Sequence, residues 1–226
     1  MPDLQDDLTL AGTGQGETAA APAAPAAPAA PAARKRPRPG ERRVQILQTL
    51  ARMLEQPGAE RITTAALAAQ LEVSEAALYR HFASKAQMFE GLIEFIETSV
   101  FTLVNQVVER EPDGSVQAQK IGAVLLQFGE KNPGMTRVMV GDALVFEHER
   151  LTARMNQFFD RVESQLRQCL RTAAEAAGSP TPTVDAQALA SAITALLVGR
   201  LQRYARSGFK RLPTEHLEFA LQRLSN

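Results

Sequence analysis

Nine side chains between Thr63 and Lys85 have the types and spacing to grip a nucleic-acid duplex. Thr63 and Thr64 open a short helical pattern, where hydroxyls and free backbone N–H groups together make a site for phosphate oxygens. The same hydroxyls can cap the helix, and the two roles are compatible. Ser74 opens a second pattern as its N-cap, and Glu75 then puts negative charge at the positive end of the helix dipole. Ala76 and Ala77 are small enough to let this helix approach base edges, where a methyl can meet a thymine methyl. Tyr79, Arg80, His81 and Lys85 follow in the second helix and just past it. Tyr79 and His81 suit local packing as well as contact with a duplex, whereas Arg80 falls on the outward face of the pattern.

Catalytic chemistry finds no comparable constellation. His81, His148 and His216 are dispersed, and no H-E-x-x-H, G-x-S-x-G, Walker or paired-cysteine motif occurs. His148 lies between Glu147 and Glu149, the pattern of a solvated helix face rather than of a metal site. The single cysteine, Cys169, sits in an apolar helical pattern, so it reads as a buried inert thiol and no intrachain disulfide is possible. The expectation is a protein that is not an enzyme and has no cofactor or metal.

Two short helices must position the nine residues. The first is predicted from about Thr63 to Leu71, the turn is Glu72-Val73-Ser74, and the second helix runs out through Leu78 to Phe82. Leu67 and Leu71 share a face, and Val73 and Leu78 point back at them. Glu75, Ala76, Tyr79 and Arg80 are left facing outward. This is the pattern of a helix-turn-helix, whose second helix enters the major groove, although a plain corner of two helices has the same periodicity. Residues 41–55 form an amphipathic helix with Val44, Leu47, Ala51 and Leu54 in one row and Ile46, Leu50 and Met53 beside it. Pro57-Gly58 ends it, and Phe82 closes the three-helix core.

Ser84-Lys85-Ala86-Gln87 has the form of a capping box and starts a long helix to about Glu109. Met88, Leu92, Phe95, Ser99, Leu103 and Val107 recur along it, with Phe89, Ile93, Ile96 and Val100 alongside. So wide an apolar surface needs more than one neighbour. Further helices are expected at 115–130, 134–140, 143–175, 184–206 and from Pro213 to about Leu224. The helix at 143–175 carries Phe146 in its apolar row, and Thr183 is expected to cap the helix at 184–206. In that helix Ala188, Ala192, Ala195 and Gly199 make a stripe of small residues, suited equally to a core helix and to a dimer interface. No segment alternates like a strand, so the fold class is all-α.

Composition divides the chain unevenly. Net charge is zero overall, but residues 1–33 carry −4, residues 34–85 carry +5 and residues 86–226 carry −1. The cationic part coincides with the helix-turn-helix pattern, as a DNA-binding module needs. Residues 19–33 are an Ala-Pro repeat that offers no large apolar residue for a core and reads as an extended spacer. It leads into Arg34-Lys35-Arg36-Pro37-Arg38, either a solvated charge run or an arm for phosphates or the minor groove. The expected division is therefore a disordered tail with a basic arm at 1–40, a helix-turn-helix domain at 41–85 and a helical dimerisation and partner-binding domain at 86–226. No secretory signal pattern is present, and no stretch approaches the roughly 20 uninterrupted apolar residues of a membrane span. A cytoplasmic protein is expected.

With these residues in view, the basic three-helix module and its exit Leu78-Tyr79-Arg80-His81-Phe82 to Ser84-Lys85 resemble the TetR family of DNA-binding regulators. Three longer stretches resemble one branch of that family, which acts in cell division: RITTAALAAQLEVSEAALYRHFASKAQMFEGLIEFIE at 61–97, FGEKNPGMTRVMVGDALVFEHERLTARMNQFFDRVESQLRQ at 128–168 and RSGFKRLPT at 206–214. The resemblance implies a homodimer, or a higher-order assembly on DNA, whose last two helices build a four-helix interface. It implies binding to palindromic double-stranded sites and to the tubulin-like division GTPase FtsZ, with antagonism of Z-ring assembly over the nucleoid. It also implies that DNA binding promotes this activity. The positions matching the FtsZ-binding surface are Phe95, Lys131 and Asn132. Lys131 stands where the branch leads one to expect arginine, and Leu103 and Gln127 where arginine and glycine are expected, so the surface differs in detail. Phe95 suits a core role equally, given its row. The alternative function is that of a repressor with a small-molecule inducer held between the apolar rows of the larger domain.

Overall fold

The computed structural model describes residues 40–56 and 61–225, with side chains to Arg223. The Ala-Pro tract, the Arg34–Arg38 arm and the expected Pro57-Gly58 stop lie outside the described residues. Among those described, every regular element is helical.

Helix α1 (Glu41–Glu55) turns Ile46, Leu50, Ala51 and Leu54 inward. Val44, expected in that row, is 47% exposed, and the buried face of α1 begins at Ile46. Helices α2 (Thr64–Gln70) and α3 (Glu75–Tyr79) pack on it through Leu67, Ala68, Leu71 and Leu78. Phe82 closes this core, at 1% exposure. Their connecting turn is a Schellman motif: the Val73 N–H donates to Ala68 O at 3.0 Å and the Glu72 N–H to Ala69 O at 3.0 Å. The motif requires a left-handed residue, and Glu72 occupies that position with φ 54°.

Ser84 starts α4 (Lys85–Arg110) as the capping box anticipates. Its Oγ accepts from the Gln87 N–H at 3.2 Å, while Gln87 Oε1 reaches back to the Ala83 N–H at 2.8 Å. Helix α4 is the spine of the molecule, burying Met88, Phe89, Leu92, Ile93, Ile96, Val100, Phe101, Leu103 and Val104. It has the length and hydropathy of a membrane span, as does the later helix at 182–206, but its apolar face is spent on the protein's own core. Asp113 caps α5 (Gly114–Lys131), accepting from the Ser115 and Val116 N–H groups at 2.8 and 3.0 Å. Helix α6 (Pro133–Met139) follows after one residue, and its Gly134 sits so close to α1 that a Cβ there would lie 2.0 Å from Ala51 O.

The next segment departs from expectation. Residues 143–148 are not the start of a long helix: a 3-10 turn at Asp142–Leu144 leads into irregular chain, and α7 spans Glu149–Ala176. Phe146 is consequently 64% exposed rather than part of the apolar row. His148 is not on a helix face but is the N-cap of α7, its Nδ1 accepting from the Arg150 N–H at 3.3 Å. Helix α8 (Pro182–Arg206) starts one residue before Thr183, which therefore does not cap it. Thr181 is the N-cap position, and the Ser179 and Thr181 hydroxyls both donate to Asp185 in the first turn. Helix α9 (Leu217–Ser225) begins four residues later than expected, because His216 has φ 53° and cannot continue a helix from Pro213. One contiguous core runs from Ile46 in α1 to Leu221 in α9.

Candidate nucleic-acid interface

Local hydrogen bonds build the interface. Thr63 is the N-cap of α2, its Oγ1 accepting from the Ala66 N–H at 3.1 Å. Ser74 caps α3 in the same way, accepting from the Ala77 N–H at 3.3 Å. Thr64 ties the two helices together by donating its hydroxyl to Glu75 Oε2 at 2.6 Å. These bonds occupy the Thr64 donor and one acceptor site on each cap, and each hydroxyl oxygen keeps acceptor capacity. The caps and the Thr64–Glu75 bond fix α3, which is only five residues long and could not hold a helix alone.

The outward ridge matches expectation. Ala76, Tyr79, Arg80 and His81 are exposed and Ala77 is half-buried. The exit of α3 is clamped from behind, where Arg43 on α1 donates to His81 O at 3.1 Å and lies 4.2 Å over the Phe82 ring. Sequence reasoning missed Arg43, since its partners stand 38 and 39 residues away and leave no local pattern. Lys85 differs from the rest of the ridge. It is half-buried and its ammonium is paired with Glu147, a residue whose only sequence signal was its place beside His148.

Two of the three positions on the second surface, Phe95 and Asn132, meet through Phe128. The half-buried Phe95 ring on α4 stands 6.4 Å from the Phe128 ring on α5, and Asn132 Nδ2 donates to Phe128 O at 2.9 Å. Asn132 is 7% exposed and closes the end of α5, so its amide shapes this corner from within. Lys131 is half-buried beside it. Thr136 reinforces the corner, donating to Gly129 O at 2.7 Å. The corner then runs straight into Gly134 and its close contact with α1.

The apolar rows of the larger domain are packed against one another. Ile121, Leu125, Phe128, Leu151 and Leu197 are fully buried. A groove of about 550 Å³ lies on the outer side of α8, lined by Leu196, Arg200, Arg203, Arg211, Leu212 and His216. The small-residue stripe is split from the core face of the same helix: Ala188, Ala192 and Ala195 are exposed, whereas Ala186, Ala190, Ile193, Leu197 and Leu201 are buried. Burial pushes the Cys169 thiol up from its ordinary pKa, which keeps it protonated and unreactive.

Known proteins resemble this chain. Residues 46–92 match the model of bacterial regulatory proteins of the tetR family, and residues 113–226 match the SlmA-like tetracyclin repressor-like C-terminal domain. The nucleoid occlusion factor SlmA of Photobacterium profundum is 52% identical over 185 residues, 81% of this chain and 94% of that protein. The nucleoid occlusion factor SlmA of Vibrio cholerae serotype O1 is 51% identical over 178 residues, 78% of this chain and 90% of that protein. Among solved structures, the TetR family transcriptional regulator PfmR from Thermus thermophilus superposes with a TM-score of 0.65 at 19% identity, covering 81% of this chain and 95% of that one. The transcriptional regulator FadR from Bacillus subtilis, solved in complex with stearoyl-CoA, gives 0.64 at 14% identity, covering 80% and 97%. These two share the fold. On the identity to its relatives and the two matched family models, the chain belongs to the TetR family of bacterial regulatory proteins, within the group of SlmA nucleoid occlusion factors.

Proposed function

We propose that the chain is a DNA-binding nucleoid occlusion factor that, as a homodimer on palindromic sites, binds FtsZ and antagonises Z-ring assembly over the chromosome. It acts in the cytoplasm at the nucleoid, as a regulator and without catalytic chemistry. The DNA contacts are Thr63, Thr64, Ser74, Ala76, Ala77, Tyr79, Arg80, His81 and Lys85, and the FtsZ surface is centred on Phe95, Lys131 and Asn132. Division into a tail at 1–40, a DNA-binding domain at 41–85 and a partner-binding domain at 86–226 fits this reading.

One observation carries it furthest. The corner that holds Lys131 and Asn132 continues into Gly134, which packs without a side chain against the back of α1. A change in the DNA module therefore reaches the partner surface through a rigid contact, which supports the idea that DNA occupancy promotes FtsZ binding. The packed rows around Phe128 favour this reading over that of an inducer-controlled repressor, which needs a cavity there.

The test has two steps. Purified full-length protein selects duplexes from a random pool, and an immobilised FtsZ tail peptide is then offered to the protein with and without a selected duplex. Enrichment of a palindrome and stronger retention with DNA are expected. Absence of a selected sequence, or of peptide retention by the DNA-bound protein, contradicts the proposal.

A further inference from the structure

Two cations of the DNA module are engaged by one loop of the larger domain. Lys85, the first residue of α4, pairs its ammonium with the Glu147 carboxylate. Arg61, just before α2, lies 5.8 Å from the centre of the Phe146 ring. The loop that supplies both partners is held at its two ends. The Glu147 N–H donates to Leu144 O at 3.0 Å, and Leu144 is buried in the core. On the other side His148 caps α7, whose Arg150 Nε is 2.8 Å from Glu90 Oε1 on α4. The Glu147 backbone is thus pinned, and its carboxylate has little freedom to withdraw from Lys85.

Burial makes the pair consequential. The Glu147 side chain is 8% exposed and that of Lys85 27%. Taking the ammonium away would leave a carboxylate with little water to solvate it, a penalty far greater than that of breaking a surface ion pair. Yet Lys85 stands at the N-terminus of α4, five residues past Arg80, at the end of the ridge that faces a duplex. A phosphate approaching there meets an ammonium already neutralised by a fixed counter-charge.

We propose that Glu147 is a positioning residue of the DNA interface: it holds Lys85 in an intramolecular pair that duplex phosphate must displace, so that the Val145–His148 loop sets the affinity for DNA. This rests on the DNA-binding reading above. It differs from a simple structural role for the pair, because removing the Glu147 charge then strengthens binding instead of weakening it.

The experiment measures binding of full-length protein to a fluorescein-labelled duplex of random sequence by anisotropy over a range of salt concentrations. Phosphate contacts set this sequence-independent affinity, and each contributes a slope of about −0.9 in log K against log salt. Glu147→Gln is expected to tighten binding by about tenfold at moderate salt and to steepen the slope by about one contact per subunit. Lys85→Gln is expected to make Glu147→Gln silent in both readouts. Glu147→Asp, which keeps the charge but shortens the reach, is expected to fall between wild type and Glu147→Gln and guards against a fold defect in the neutral variant. A wild-type slope in both Glu147 variants, or the same tightening in the Lys85→Gln background, overturns the proposal. Wild-type protein that binds no duplex defeats the DNA reading along with it, whereas wild-type binding abolished by Arg80→Ala, with Glu147→Gln unchanged, defeats this proposal alone.

Discussion

Arg80 and Thr63 separate two ways in which a side chain would serve the proposed DNA interface. Arg80 is exposed at the end of α3, whereas Thr63 is the cap on which α2 begins. Arg80→Ala is expected to weaken binding to a selected duplex by about 1–3 kcal/mol per subunit with no change in thermal midpoint. Thr63→Ala is expected to lower stability by about 1 kcal/mol as well as weakening DNA binding. Anisotropy and thermal denaturation on the same preparations distinguish them. Glu72 offers a stability test of a different kind, since it holds a left-handed backbone that a residue with a Cβ disfavours. Glu72→Gly is expected to raise the unfolding free energy by about 1 kcal/mol in denaturant titration. The caps at Ser74 and Ser84 were legible in the sequence because donor and acceptor lie three residues apart. Arg43 on His81 and Lys85 on Glu147 were not, because those partners meet only once α1, α4 and the loop before α7 have packed.

Helices with sustained apolar periodicity were readable to within a residue or two, as α1 and α4 illustrate. The misreadings fall where a pattern continues but the backbone does not. Phe146 was placed at the head of the apolar row that continues through Leu151, yet the chain between them is irregular and the ring is largely exposed, with Arg61 over it. Pro213-Thr214-Glu215 has the composition of a helix start, but the left-handed His216 delays α9 to Leu217. Gly134 was read as the first residue of a short helix at 134–140, whereas its structural value is the absence of a side chain against Ala51 O. Gly134→Ala forces α1 and α6 apart and is expected to destabilise the protein by about 1–3 kcal/mol. If that contact transmits DNA occupancy, the same variant is expected to reduce the gain in FtsZ tail peptide retention on adding duplex. The ratio of peptide affinities with and without DNA measures it.

On the scale of the molecule, a positively charged N-terminal module and a nearly neutral helical body are joined by one spine and one core. The all-α class and the DNA end were legible from periodicity and charge alone. The two-faced nature of α8 was not, because the same helix buries Ala190 and Leu197 while exposing Ala192 and Ala195. Under the proposed homodimer, this exposed face meets a second copy across a seam. Ala192→Glu is expected to place like charges across that seam and to give a monomer by sedimentation velocity, with DNA affinity reduced accordingly. The direct test of the central claim is GTP-driven FtsZ polymerisation, followed by light scattering, with the full-length protein present and a selected duplex added or withheld. Lower scattering and faster decay with DNA than without it is the expected result, while polymers of undiminished mass and lifetime in the presence of the DNA-bound protein would contradict it.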